Sequence, residues 1–297
     1  MHRLLDSILA QTYRPIEFIL VNDGSTDSSA EVWNAYEPRF DAAGIKHQYI
    51  YQENQGLGAA INAGLQAFTG AYFCWPDIDD YLEGTSIEKR VAFLEENPEY
   101  GSVSSDAYEF LEEDLEHPIG TVAGWMKHIR EPWQFRYMLQ GQSVYCPGCH
   151  MLRTSCFLKV NPSRRIYPAR RGQNNQLLLP IYYKYQHGFI DEPLYYYIIY
   201  KKSMSSPDPS EEQALDRERE YIALLQATLS GIDMDKETRL FCSKQMRQIE
   251  WDALSKIYVR FGRPLKLIWC YLKLRMYQTE QKREIGSIVF ALKTKLK

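Results

Sequence analysis

"RPIEFILVNDGSTDSSAEVWNAY", residues 14–36, decides the fold. Its first half, Ile16 to Val21, is a short apolar run rich in β-forming residues that stops at Asn22-Asp23-Gly24, a turn sequence. Asn-Asp-Gly also suits a hairpin, but a hairpin needs a second strand directly afterwards. Here Ser28-x-x-Glu31 follows instead, the pattern of a capping box that opens a helix. The unit is therefore strand, then helix, and it repeats. Residues 45–54 alternate like a strand, and residues 55–70 carry Leu57, Ile61, Leu65 and Phe68 at helical spacing. "AYFCW" (71–75) is strand again, Thr85-x-x-Glu88 caps a further helix, and "GSVSSD" (101–106) makes a fourth short strand. Such alternation predicts an α/β, Rossmann-like fold with a mostly parallel sheet, helices on both faces and ligands at the carboxyl ends of the strands. Asp23, Gln52 to Asn54, Asp77 to Asp80 and Asp106 all fall at such ends.

Beyond residue 106 the alternation fades. Residues 107–170 are acidic, aromatic and interrupted by Pro and Gly, as expected of an excursion that builds a substrate site. "NQLLLPIYYKY" (175–185) returns to helix and "GFIDEPLYYYIIY" (188–200) to strand, and "SSPDPSEEQ" (205–213) has the composition of a linker. Two parts are expected: an α/β domain over 1–205 and a helical C-terminal region over 206–297. In the last 35 residues nine Lys or Arg stand against two Glu, with Leu, Ile, Trp and Phe between them. That tail fits either a solvated helical pair covering the sheet domain or a peripheral contact with an anionic membrane surface.

The totals narrow the class. A chain of 297 residues with 45% hydrophobic content supports a sizeable core, and a net charge of −3 with acidic and basic residues mixed along most of its length predicts no nucleic-acid partner. No apolar run approaches the ~20 residues of a membrane-spanning helix. The N-terminus lacks a signal-peptide core, and six scattered cysteines suit reduced thiols. The expected location is cytoplasmic, with the inner face of the plasma membrane as the peripheral alternative.

"FCWPDIDDYL" (73–82) places three aspartates at the end of a buried strand, where like charges repel and desolvation is costly. If the strand continues, Asp77 and Asp79 project from one face with Cα atoms ~7 Å apart while Ile78 turns inward. Aspartates after a strand often cap the next helix, but Thr85 and Glu88 already supply that cap, which leaves the cluster without structural duty. A divalent ion with oxygen ligands, Mg2+ or Mn2+, bridging to a substrate diphosphate would cancel the repulsion. "YCPGCH" (145–150) carries a Cys-x-x-Cys-His spacing that haem attachment or a zinc site (Cys146, Cys149, His150, Cys156) could use. The expectation is an acceptor-side loop with a turn at Pro147-Gly148.

"ILVNDGSTDSS", "QENQGLGAAINAGLQAFTGAYFCWPDIDDYL" and "IDEPLYYYIIYKKSMS" together resemble the family 2 glycosyltransferases of the GT-A fold, over about residues 3 to 205. The resemblance implies an inverting transfer of a sugar from a nucleotide-diphosphate sugar, by expectation a UDP-sugar, to a glycan or lipid-linked acceptor in surface polysaccharide synthesis. It implies donor contacts from Asp23, Asn54, Asp77 and Asp79, Asp23 meeting the base, Asp79 the metal directly and Asp77 lying closer to the ribose. The sequence departs from that family in three places. The strand that normally precedes the segment matching "HRLLDSILAQTY" is expected to be missing, Ile61 stands where an arginine is frequent, and Gln173-Asn174 occupies the position of the acidic pair that supplies the general base. An amide cannot accept the proton of the acceptor hydroxyl. The candidates for that role are Asp106, at the end of the fourth strand, then Glu109 and His150, with Gln173 and Asn174 left on the acceptor side. The alternative is a nucleotide-sugar binding pseudoenzyme or an inactive truncated fragment. A dinucleotide-dependent oxidoreductase is disfavoured because no Gly-x-Gly-x-x-Gly follows a first strand.

Overall fold

The computed structural model describes residues 1–124, 126–201, 203 and 206–277. The chain divides into two compact units, Met1–Met204 and Ser205–Lys297. In the first, α1 (His2–Leu9), β1 (Glu17–Asp23), α2 (Ser29–Ala42), β2 (Lys46–Gln52) and α3 (Leu57–Ala67) alternate. β1 and β2 are parallel, with Glu17 opposite Lys46 and Asp23 opposite Gln52. Parallel neighbours need a crossover, and α2 provides it. It packs by burying Trp33 and Phe40, whose rings meet Phe18 of β1 with centroids 5.9 and 5.1 Å away. Leu4, Leu5 and Ile8 of α1, spaced for one helical face, join the same core. Among the described residues the other edge of β1 carries no strand.

Next come β3 (Tyr72–Phe73), β4 (Tyr81–Leu82), α4 (Ser86–Glu96), β5 (Tyr100–Leu111), β6 (Gly120–Thr121), α5 (Phe135–Leu139), β7 (His150–Arg153), α6 (Thr154–Val160), α7 (Gln173–Lys184) and β8 (Gln186–Ile199). Their sheet has the order β3-β7-β5-β8-β4, with β6 beside β5. It is mixed. The parallel register expected from the alternation holds between β5 and β8, whereas β3–β7, β5–β7, β4–β8 and β5–β6 are antiparallel. Antiparallel neighbours need only a reversal of the chain, and the excursion after β5, through β6 and the short α5, returns in the opposite direction as β7.

Three local expectations change. β5 does not end at Asp106 but runs on to Leu111, with register shifts against β8 on either side of Asp106. Neither capping box closes through its Ser or Thr: Ser28 and Thr85 make no side-chain cap bond, Asp27 accepts from Ser29 N instead (3.0 Å), and the Thr85 hydroxyl donates to Glu83 (2.5 Å). Short polar side chains choose among neighbouring acceptors and donors, and a cap is one choice of several.

The second unit holds α8 (Glu211–Ser230), α9 (Lys236–Arg260) and α10 (Pro264–Tyr277). Ser210 caps α8 by accepting from Gln213 N (3.2 Å), and Asp235 caps α9 by accepting from Thr238 N (2.8 Å). Among the described residues no helix is long and apolar enough to cross a membrane. The C-terminal part of the basic tail, residues 278–297, lies outside the described residues.

Candidate active site

The three aspartates gather in a turn rather than along a pleat. Asp80 N donates to Asp77 O (3.3 Å), and one carboxylate oxygen from each of Asp77, Asp79 and Asp80 lies within 4.8 Å of the others. Ile78, expected in the core, is 42% exposed at the tip of that turn. Asp80 has the structural duty that the sequence did not reveal: buried to 1% exposure, it accepts from Tyr195 Oη (2.8 Å) and from Ile198 N (2.8 Å) of β8. The Tyr195 hydroxyl accepts in turn from Asp77 N (3.2 Å). One tyrosine thus clamps both ends of the acidic turn to β8. Asp79 stays exposed and Asp77 half-buried, and among the described residues no hydrogen bond engages either carboxylate.

Burial, with the Asp79 charge adding to it, pushes the Asp77 carboxyl up to about 7. Burial likewise raises Asp80 to about 8, against the lowering effect of its two donors. Three crowded carboxylates with one of them clamped form an all-oxygen donor set whose repulsion a hard divalent cation would relieve, so the residues fit Mg2+ or Mn2+. This is the one His, Cys, Asp and Glu grouping of metal-binding geometry among the described residues. Cys146, Cys149, His150 and Cys156 do not come together as ligands.

The Cys-Pro-Gly-Cys-His stretch does something else. A Cβ at Gly148 would lie 2.0 Å from Tyr195 Cε2, so only a glycine lets the backbone lie against the Tyr195 ring. Arg90, fully buried, fixes that backbone by donating to Gly148 O (2.7 Å) and His150 O (3.3 Å). The loop buttresses the clamp, and no local sequence pattern announces a contact between residues this far apart in the chain.

The remaining candidates separate. Asp23 ends β1, as expected, but its carboxylate accepts from Gln52 Nε2 (2.6 Å), Gln55 N (3.0 Å) and Gly56 N (2.8 Å), organising the loop into α3. Asn54 is exposed in that loop and packs closely on Gly24, whose φ of +69° demands a glycine. Asp106 points its Oδ1 at Ala107 N (2.7 Å) and Ala123 N (2.8 Å), so it stabilises the loop after β6 instead of opening onto a cleft. His150 is fully buried, with Nε2 donating to Val144 O (3.1 Å) and its ring stacked on Trp75 at 6.0 Å. Burial pushes its pKa down to about 3, and it has no access to an acceptor hydroxyl.

Glu109 is placed differently. Tyr145 Oη donates to Glu109 Oε1 (2.6 Å), Asn174 Nδ2 donates to Tyr145 O (2.7 Å), and Trp75 Nε1 donates to Asn174 Oδ1 (2.7 Å). This chain runs from Glu109 to Trp75, two residues before Asp77. Burial, with Cys149 adding to it, raises the Cys146 thiol between these groups. Gln173 begins α7 beside Asn174.

The fold has known counterparts. S. aureus TarS 1-349 in complex with UDP-GlcNAc superposes with a TM-score of 0.62 at 16% identity, covering 93% of this chain and 84% of that one. The mannosyltransferase PcManGT from Pyrobaculum calidifontis, in complex with GDP-Man and Mn2+, gives a TM-score of 0.54 at 13% identity over 99% and 75% of the two chains. The fold is of the GT-A type. In sequence, residues 1–160 match the description "Glycosyl transferase family 2", and the chain belongs to that family. It is 35% identical over 113 residues to a glycosyltransferase of Rickettsia prowazekii (strain Madrid E), which is 38% of this chain and 33% of that one. It is 43% identical over 88 residues to the glycosyltransferase GlyA of Streptococcus pneumoniae serotype 4 (strain ATCC BAA-334 / TIGR4), 30% of this chain and 12% of that one. The matched segments thus span a third or less of these relatives.

Proposed function

We propose that the protein transfers a sugar, with inversion, from a nucleotide-diphosphate sugar to a hydroxyl of a glycan or lipid-linked acceptor in surface polysaccharide synthesis. The observation that carries this is the clamped acidic turn: Tyr195 and Ile198 hold Asp80, while the carboxylates of Asp77 and Asp79 stay clear of hydrogen bonds among the described residues. Asp79, exposed, is the direct ligand of a divalent ion, and Asp77 completes the pair toward the ribose. A Mn2+ or Mg2+ ion bound there would stabilise the negative charge on the leaving diphosphate. The UDP and UDP-GlcNAc bound by TarS support a uridine donor here. Asp23 and Asn54 form the rim of the base pocket, Asp23 through the loop it organises.

Glu109 is the base in this reading. It takes the acceptor's proton as the hydroxyl oxygen bonds to the sugar, and the Tyr145 hydroxyl orients its carboxylate. Asn174 holds Trp75 and the Tyr145 backbone, so Gln173 and Asn174 serve to shape the acceptor side. A nucleotide-sugar binding protein without turnover is the second reading, favoured by the loop duties of Asp106 and Asp23 and by the amides at 173 and 174.

The test is titration calorimetry of UDP with and without Mn2+, on the wild type and on Asp79→Ala. The expected result is Mn2+-dependent affinity that vanishes in the variant while its melting temperature holds. Undiminished Mn2+-dependent affinity in Asp79→Ala would refute the assignment. Transfer from a labelled donor then separates the two readings, since binding without product supports the second.

A further inference from the structure

We propose that α10 is a docking face for an anionic phospholipid bilayer. At about 100° per residue, positions 265, 268, 269 and 272 fall within an arc of about 100° on a helix. All four are large and apolar, and all four face water: Leu265 is 82% exposed, Ile268 48%, Trp269 50% and Leu272 53%. The opposite side of the same helix buries Leu267 (3%) and Cys270 (0%), so the packing of the helical unit already has its own apolar stripe. Single exposed apolar residues are ordinary, but a contiguous stripe on one face marks a contact surface. Trp269 is steadied there by the edge of Trp251 of α9, with ring centroids 4.6 Å apart.

Charge selects the occupant. The sequence of α10 holds Lys266, Lys273 and Arg275 and no Asp or Glu. By helical register Lys266 and Lys273 flank the stripe on one side. Lys266 also pairs with Glu211 (3.0 Å), while Lys273 reaches over the Trp269 ring (5.6 Å) and has no acidic partner among the described residues. An apolar stripe with tryptophan, bordered by lysines, is the arrangement of a helix lying in the headgroup region with its apolar side chains at the acyl boundary. The sequence that follows adds Lys282, Arg283, Lys293, Lys295 and Lys297 against Glu280 and Glu284.

A second copy of the chain fits worse. The exposed surface of these four side chains is on the order of 450 Å², against the roughly 800 Å² per partner of a stable interface. Pairing two such stripes would also bring the lysines of both copies together. An anionic bilayer needs no complementary protein patch, and its charge adds to the apolar burial.

This inference is independent of sugar transfer, and so is its test. The full chain is centrifuged with vesicles of phosphatidylcholine alone or mixed with phosphatidylglycerol, at low and high salt. The expected result is co-sedimentation with the phosphatidylglycerol vesicles, weakened by salt, and a drop of about tenfold or more in partitioning for Leu265→Ser/Trp269→Ser/Leu272→Ser. Circular dichroism and melting should stay unchanged, since these positions are exposed. If the triple variant misfolds, Leu265→Ser and Lys273→Glu taken singly each carry the same expectation at smaller size. Wild-type protein that stays in the supernatant with phosphatidylglycerol overturns the proposal, as does a folded variant that sediments like the wild type. A dimer by light scattering that the triple substitution dissociates, without vesicle binding, assigns the face to a second copy instead.

Discussion

Replacing Tyr195 by phenylalanine removes one oxygen from a buried clamp and leaves the ring on Gly148 in place. That oxygen donates to the buried Asp80 carboxylate at 2.8 Å and accepts from Asp77 N at 3.2 Å. At about pH 9, where Asp80 is ionised although burial raises it to about 8, a hydrogen bond to its carboxylate contributes about 1.5–3 kcal/mol, and the longer backbone bond about 0.5–1 kcal/mol. The loss should therefore be about 2–3 kcal/mol, allowing that the two bonds share one hydroxyl. For a unit of this size each kcal/mol moves the melting temperature by roughly 2–4 °C, so a fall of roughly 4–12 °C is expected. The consequence for the site is separate. Asp80 keeps only Ile198 N, the turn loses its tie at Asp77, and the Asp77–Asp79 pair is no longer held in one geometry. Mn2+ affinity should fall together with stability. Calorimetric melting and Mn2+ titration followed by electron paramagnetic resonance measure the two effects, and Tyr197→Phe is the control, because its hydroxyl makes no bond to Asp80. A melting temperature within about 1 °C of the wild type, with Mn2+ affinity unchanged, would refute the clamp.

Glu109→Gln should cut kcat by the roughly 10²- to 10⁴-fold of a lost general base with donor affinity nearly unchanged, whereas Asp106→Ala should instead lower stability by about 1–3 kcal/mol because Ala107 N and Ala123 N lose their acceptor. Steady-state kinetics and urea unfolding on both variants separate the roles, and the opposite pattern would return the base to Asp106. A pH effect follows from the buried histidines: burial pushes His150 to about 3 and lowers His187 well below its ordinary value. Between pH 6.5 and about 3 the unfolded chain binds protons at these histidines that the folded protein refuses, so their contribution to stability is full above pH 6.5 and falls with falling pH, while Asp77 and Asp80, raised to about 7 and about 8, contribute with the opposite sign. For His150 alone the loss is roughly 2 kcal/mol from pH 7 to pH 5. Unfolding free energies measured across that range in the wild type and in His150→Gln should converge toward low pH, and parallel curves would contradict the assignment.

The sequence by itself determined the strand-helix alternation of the first hundred residues, because apolar periodicity, turn residues and segment length are local quantities. It determined the clustering of the aspartates for the same reason, since Asp77, Asp79 and Asp80 are close in space because they are close in the chain, although they gather in a turn and not along the strand that was expected. Tertiary structure decided what each of them does. Asp80 looked free because Tyr195 and Ile198, which hold it, lie 115 and 118 residues away, and no local pattern encodes that contact. Asp106 looked like a strand end because the polar run Ser104-Ser105-Asp106 follows Val103, yet β5 continues, since β8 beside it supplies ladder partners as far as Leu111. Gly148 was legible as a turn residue of a loop, but its packing role is set by the close approach of the Tyr195 ring from far along the chain. Long-range pairing sets burial, and burial decides which carboxylates remain open to a ligand and which are committed to holding the chain.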